Sequence, residues 1–164
     1  MTVEPVREQD WPVVARLWQA YRNDLAAMLD SFPAPDGRYN HSVLDTYPAD
    51  DRAGLLAWAP HPKTGDLAPV AFSLVDGLGG ERRSVTAFFV VPAARRDGLG
   101  RTLARETLRR FEGPWTIAFQ HDNAAAGRFW RAAAREAFGD AWREEQRTVP
   151  GLPDVPPDHW IDSL

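Results

Sequence analysis

Arginine and glycine crowd residues 95 to 100, which read Arg95-Arg96-Asp97-Gly98-Leu99-Gly100. A β-branched and aromatic run, Ser84 to Pro92, precedes them, and an amphipathic stretch, Leu99 to Glu112, follows. A strand that passes through glycines into a helix aims several unpaired N–H groups at one point, where the helix dipole adds positive potential. That point suits a phosphate. Gly98 can take a positive φ, and Gly100 leaves out a side chain where backbone must approach a ligand closely. Two glycines beside a helix start also serve as a plain turn. The pattern is not a Walker loop, because Arg101-Thr102 stands where Lys-Ser/Thr is needed, and it lacks the third glycine of a dinucleotide fingerprint.

Within the following helix, Leu99, Leu103, Leu108 and Phe111 form an apolar stripe, while Arg101, Arg105 and Arg109 recur at i, i+4 on the other face. Like charges at that spacing repel by roughly a few tenths of a kcal/mol. With Arg95, Arg96 and Arg110 they make a local positive patch suited to a polyphosphorylated ligand. The competing reading is a solvated arginine face partly neutralised by Glu106 and Glu112. Further on, His121-Asp122-Asn123 closes one strand and opens a helix, and either Asp122 or Asn123 is a good N-cap. Capping alone would account for an asparagine here.

The chain that must position these groups has 164 residues, 44% of them hydrophobic, which is enough for one domain with a proper core. We expect a single domain over residues 1–164. A formal net charge of −4 argues against a general nucleic-acid binder. With no cysteine, disulfides, thiolate metal sites and a thiol nucleophile are excluded. The four histidines, His41, His61, His121 and His159, lack metal-motif spacing, so no metal is expected. No apolar run approaches membrane-spanning length and the N-terminus lacks a secretory pattern, so the expectation is a cytoplasmic protein without membrane partners.

Helical spacing of Val13, Val14, Leu17, Trp18, Tyr21, Leu25 and Met28 predicts a first helix over about 10–30. Residues 31 to 51 read as a long loop of the kind that often binds ligands, with a short helix near 42–46. Strands are expected at 54–59, 68–75 and 84–91, arranged as an antiparallel meander. Helix 99–112, strand 115–120, a helix from about 123 to 138 and strand 142–149 follow. A proline-rich crossing then leads to a short segment holding Trp160 and Ile161. This order predicts an α/β fold with a mixed, mainly antiparallel sheet, flanking helices and a right-handed βαβ crossover between strands 84–91 and 115–120. An anion at the carboxyl end of the first of these would sit where open α/β sheets bind ligands.

Taken together, Val90 to Gly100 resembles the acetyl-CoA-binding motif of the GNAT superfamily of N-acetyltransferases, whose core is Arg/Gln-x-x-Gly-x-Gly/Ala. Asn123-Ala-Ala-Ala126-Gly-Arg-Phe129-Trp130 is similar to that family's next motif. The match covers about residues 84–138, the expected cofactor core. The resemblance implies an N-acetyltransferase that uses acetyl-CoA as co-substrate, with a small-molecule or peptide amine as acceptor and a homodimer as a common assembly. It implies that backbone of Phe89, Val90 and Val91 pairs with the pantetheine arm. The loop and first helical turn, comprising Arg95, Arg96, Asp97, Gly98, Leu99, Gly100, Arg101 and Thr102, would hold the pyrophosphate. Asn123 would bond pantetheine or nearby backbone, with Phe129 and Trp130 beside the cofactor. Strands 84–91 and 115–120 should splay apart, and transfer would be direct.

Two departures from the family pattern matter. Trp130 stands where relatives often carry a tyrosine that protonates the departing thiolate, and an indole N–H donates a hydrogen bond without giving up its proton. The strand before the glycine loop, Ser84 to Val90, carries no glutamate to act as base. Candidate bases elsewhere are Glu81, His121, and His41 or Asp45 in the long loop, where Tyr39 and His41 could also line an acceptor pocket. A catalytically silent acyl-CoA-binding or regulatory module is the alternative that these departures favour.

Overall fold

The computed structural model describes residues 1–164 and shows seven strands in one sheet, in the order β1-β2-β3-β4-β5-β7-β6. The strands are β1 (Thr2–Pro5), β2 (Ala53–Pro60), β3 (Leu67–Asp76), β4 (Arg83–Val90), β5 (Trp115–Phe119), β6 (Trp142–Arg147) and β7 (Asp158–Ser163). Helices α1 (Trp11–Leu25), α2 (Leu99–Arg110) and α3 (Ala124–Phe138) lie between them, with a short 3-10 turn at Ser42–Thr46. The expected mixed, mainly antiparallel sheet is present: every neighbouring pair is antiparallel except β4 and β5. No helix is long and apolar enough to cross a membrane.

Alternation along the strands divides the core between the two faces. On one face, Val14 and Trp18 of α1 meet Leu56, Phe72, Leu74, Ala87 and Phe89. On the other, Ala104 and Leu108 of α2 and Trp130, Ala133 and Ala134 of α3 cover Val75, Val85, Ile117, Phe119 and Ile161. Each fully buried aliphatic side chain of this kind contributes about 1.5–3 kcal/mol. Helix α1 ends at Leu25, earlier than its apolar spacing suggests. The Ala26 N–H turns back to the Asn23 carbonyl, residues 26–30 form turns, and Asp30 takes a φ of 45°.

Two strands are additions to the sequence reading. β1 pairs with β2 as a four-residue edge. β7, expected only as a short terminal segment, inserts between β5 and β6 and pairs with both. Its polar residues are paid for locally by hydrogen bonds: Ser163 Oγ accepts from the Trp115 N–H at 2.8 Å, and Asp162 accepts from the Thr116 hydroxyl at 2.7 Å and pairs with Arg147. Burial raises the Asp162 pKa, but these partners outweigh it and hold the carboxyl below its ordinary value.

The last two strands are fastened to α3 by Glu144, which takes a bidentate pair of bonds from Arg131, both at 2.7 Å, and faces His159 Nδ1 at 2.7 Å. His159 in turn stacks on Phe119 at 5.1 Å. The Arg131 bonds, more than the opposing effect of burial, hold the Glu144 carboxyl below its ordinary pKa. A depressed carboxylate stabilises the fold above its unfolded pKa of about 4.3, and that contribution disappears as pH falls through the folded value. Glu144→Gln should therefore cost about 1–3 kcal/mol at pH 7, with the deficit shrinking below about pH 4. Urea unfolding of both proteins across pH 3 to 7 checks this.

Candidate functional site

The parallel pairing of β4 with β5 covers only Arg83↔Trp115, Ser84↔Thr116 and Val85↔Ile117. Beyond it, β4 stays with β3 as far as Val90, while β5 runs on beside β7 to Phe119. The strands thus part as the family resemblance implied, and the β5-facing edge of β4 from Thr86 to Val90 has no strand partner. A bulge opposite Leu74 and Val75 leaves Thr86 as the extra residue at the point of parting. Its hydroxyl shares a 2.8 Å hydrogen bond with the phenol of Tyr47, whose pKa burial pushes up, so the phenol keeps its proton.

At the carboxyl end of β4 the chain makes a short turn at Pro92–Ala94 and then enters α2. Arg96 and Gly98 both sit in the left-handed region, with φ of 79° and 74°. For Arg96 that conformation costs on the order of 1 kcal/mol, strain that is held at the loop. The first bond of α2 runs from the Thr102 N–H to the Gly98 carbonyl at 3.0 Å. The N–H groups of Leu99, Gly100 and Arg101 lie ahead of it, without helical acceptors, as an anion site requires.

These elements enclose a cleft of about 740 Å³. Of the sequence-derived cofactor set, Phe89, Val90, Arg95, Arg96, Gly98, Gly100, Arg101, Asn123, Phe129 and Trp130 line it. Val91, Asp97, Leu99 and Thr102 do not. Val91 donates its N–H to Val70 and packs on the α1 side, Leu99 packs into the core beside Leu103, and the Thr102 hydroxyl bonds the Gly98 carbonyl. Asp97 is an exposed turn residue. A Cβ at Gly100 would stand 3.4 Å from both Phe129 and Val90, so the missing side chain seats α2 against the cleft wall.

Two of the arginines are already engaged. Arg95 pairs with Asp24 of α1 and donates to the Val90 carbonyl at 2.9 Å, so it braces the cleft. Arg101 pairs with Glu136 of α3. Asn123 caps α3: its Oδ1 accepts the Ala126 N–H at 3.0 Å and its Nδ2 donates to Gln120 at 3.1 Å. Phe129 and Trp130 stand nearly edge to face at 5.0 Å, and both contact Phe88.

None of the candidate bases lines the cleft. Glu81 lies in the β3–β4 turn, at the end of β4 opposite the cleft. His41 and Asp45 are exposed at the start and within the 42–46 turn, and Tyr39 is tied to α1 through Gln19 and Asn23. His121 follows β5 at the correct end, but it turns to Asp158, which accepts its backbone N–H at 3.1 Å. The one carboxylate on the cleft wall is Asp24, held by Arg95. Sequence reasoning missed this wall altogether: Tyr21, Asp24, Leu25 and Met28 line it, although their spacing reads as ordinary helix core.

No protein-family model and no curated protein sequence matches the chain. Solved structures do. A ribosomal-protein-alanine N-acetyltransferase from Brucella melitensis is 18% identical, with a TM-score of 0.64, covering 100% of this chain and 99% of that one. Arabidopsis thaliana NAA60, solved with a bisubstrate analogue, is 14% identical with a TM-score of 0.66 over 99% of this chain and 97% of that one. A spermidine N-acetyltransferase SpeG chimera from Vibrio cholerae and human SSAT is 10% identical with a TM-score of 0.64, covering 100% and 96%. The fold is that of the GNAT N-acetyltransferases.

The cap geometry separates two roles of Asn123. Asn123→Ala should lower stability by about 1 kcal/mol through loss of the α3 N-cap, and Asn123→Asp should restore most of it, because aspartate accepts the same N–H. Thermal unfolding of the two variants checks the capping contribution.

Proposed function

We propose that the protein is an N-acetyltransferase of the GNAT superfamily that binds acetyl-CoA in the β4–β5 cleft and transfers its acetyl group directly to an amine. The observation that carries this reading is a coincidence of position. The unpaired edge of β4, the free N–H groups at the start of α2 and the capped start of α3 all open into one cleft. A thioester fits that geometry from end to end. Pyrophosphate sits at the loop from Arg96 to Arg101, the pantetheine arm runs along Phe89 and Val90, and the acetyl carbonyl reaches the backbone groups left free where the strands part.

The amine nitrogen attacks the carbonyl carbon, the C–S bond breaks, and CoA leaves as a thiolate. Backbone donors at the notch stabilise the charge that develops on the carbonyl oxygen, and the cleft fixes the approach. With no cysteine, the chain forms no acyl-thiol intermediate. Trp130 can donate a hydrogen bond to sulfur but keeps its proton, so the thiolate takes one from water. No free carboxylate or histidine lines the cleft, so the amine arrives neutral or loses its proton to solvent. The acceptor is an amine of a small molecule or peptide, in keeping with the alanine and spermidine substrates named for two structural neighbours. The bare proton inventory favours one other reading: a silent acyl-CoA-binding module with the same cofactor site.

Calorimetry with acetyl-CoA tests the cofactor site. Micromolar binding is expected, and Gly98→Trp, which fills the phosphate loop, should weaken it by at least tenfold. No binding by the native protein overturns the proposal. Amine-dependent release of CoA thiol across a panel of polyamines and alanine-starting peptides then separates an enzyme from a silent binding module.

A further inference from the structure

The proton released by an attacking amine has no acceptor on the cleft wall, but the α1 face of the sheet supplies one. Where β4 and β5 part, Val85, Phe88 and Trp130 close the α2–α3 side. Thr86 is exposed at that point and turns its hydroxyl to Tyr47, which packs among the α1-side residues. A nucleophile therefore reaches the carbonyl from the α1 side.

Strand alternation places a carboxylate on that side. Leu74 and Ala87 pack toward α1, whereas Val75 and Val85 pack toward α2 and α3. Asp76, two residues beyond Leu74, returns to the α1 face and stands directly opposite Ser84 of β4. Side chains paired in this way have Cβ atoms about 4.5–5.5 Å apart. Ser84 lies two residues before Thr86, about 7 Å along the strand. Asp76, Ser84 and Thr86 thus form a short polar track that ends where the strands part, with Tyr47 fixing its last hydroxyl.

The other carboxylates beside this track are engaged. Asp162 accepts from Thr116 and pairs with Arg147, which holds its carboxyl low. Asp51 pairs with Arg52 at 3.8 Å. The charged and titratable groups facing Asp76 are Asp51, Arg52 and Tyr47, all from the segment that leads into β2. Burial raises the Asp76 carboxyl above its ordinary pKa, against the smaller opposing effect of Arg52. A carboxylate made more basic in this way is a better proton acceptor.

We infer that Asp76 is the terminal proton acceptor of the transfer, drawing the proton of the attacking ammonium along the hydroxyls of Thr86 and Ser84. This inference rests on the acetyl-CoA reading above and deepens it. The ammonium nitrogen gives its proton to the Thr86 hydroxyl while the track and the solvent along it pass one to Asp76, which becomes a neutral acid. The free amine then attacks, the C–S bond breaks, and the thiolate takes a proton from water. Asp76 returns its own to solvent before the next cycle.

Release of CoA thiol, followed from pH 6 to 10 with spermidine and an alanine-starting peptide as acceptors, tests this on the native protein, Asp76→Asn and Asp76→Glu. At pH 7 Asp76→Asn should lower kcat at least tenfold, within the range of a lost proton acceptor, while acetyl-CoA affinity by calorimetry stays within about twofold. Its deficit should shrink toward pH 10, where the amine arrives neutral, and Asp76→Glu should recover part of the loss at pH 7. A buried carboxyl with a raised pKa costs stability when ionised, so Asp76→Asn should unfold at no lower temperature than the native protein at pH 7. A merely structural Asp76 would lower that temperature and leave the shape of the pH profile alone. Native turnover by Asp76→Asn at pH 7, or a deficit that does not change with pH, overturns the assignment. Acetyl-CoA binding without turnover of either amine also overturns it and leaves the cofactor site standing. Failure to bind acetyl-CoA overturns the acetyl-CoA reading and this inference with it.

Discussion

Three residue pairs hold β4 to β5, and the rest of the site depends on their ending where they do. A parallel pair that ran on to Val90 would close the sheet, satisfy the edge of β4 and leave the glycine loop facing a wall. Each strand is instead drawn off by its antiparallel neighbour, β4 by β3 and β5 by β7. The bulge at Thr86 adds local twist at the point of divergence. The opening is thus a product of competition between ladders, and it needs no flexible lid.

Around that opening, groups that look like ligand contacts also bear structural loads. Arg95 braces α1 against the end of β4, Arg101 clips α2 to α3, and Asn123 caps α3. The cleft is therefore built before any ligand arrives, which spares binding the cost of ordering side chains. Arg96, which lines the cleft and has no ion-pair partner, is the charge left free to meet an anion there.

The segment from β4 to α3 was legible because its signals are local. Strand composition, two glycines, a 3.6-residue apolar period and a capping asparagine each act within a few residues of where they stand. The structure departs from the sequence reading where the deciding contacts are distant. β7 reads Asp-His-Trp-Ile-Asp-Ser, with too little alternation to announce a strand, and it is accommodated by hydroxyl, amide and guanidinium partners on β5 and β6. β1 is four residues on an edge, below what periodicity can register. The α1 wall of the cleft escaped notice because Tyr21, Leu25 and Met28 satisfy the same spacing whether they meet protein or ligand. Glu81, His41 and His121 have the right chemical type but the wrong surroundings: Glu81 precedes β4, His41 is exposed beside the 42–46 turn, and His121, at the cleft end of β5, is drawn to Asp158 by a contact 37 positions away.

The placement of β7 has a consequence for how the chain assembles. Arg82, just before β4, donates to the carbonyls of Trp115 and Ser163, partners 33 and 81 positions along the chain. The Trp115 N–H finds its acceptor 48 positions away. Such remote closures must be reached by diffusion of a long loop, and chains rich in them fold slowly. Until β7 arrives, β5 exposes a row of unpaired backbone groups beside an apolar face, which is a template for pairing with another chain. The half of the sheet beyond β5 is thus where a nascent molecule is most vulnerable to aggregation, even though in the finished fold it is among the most heavily cross-linked by charge.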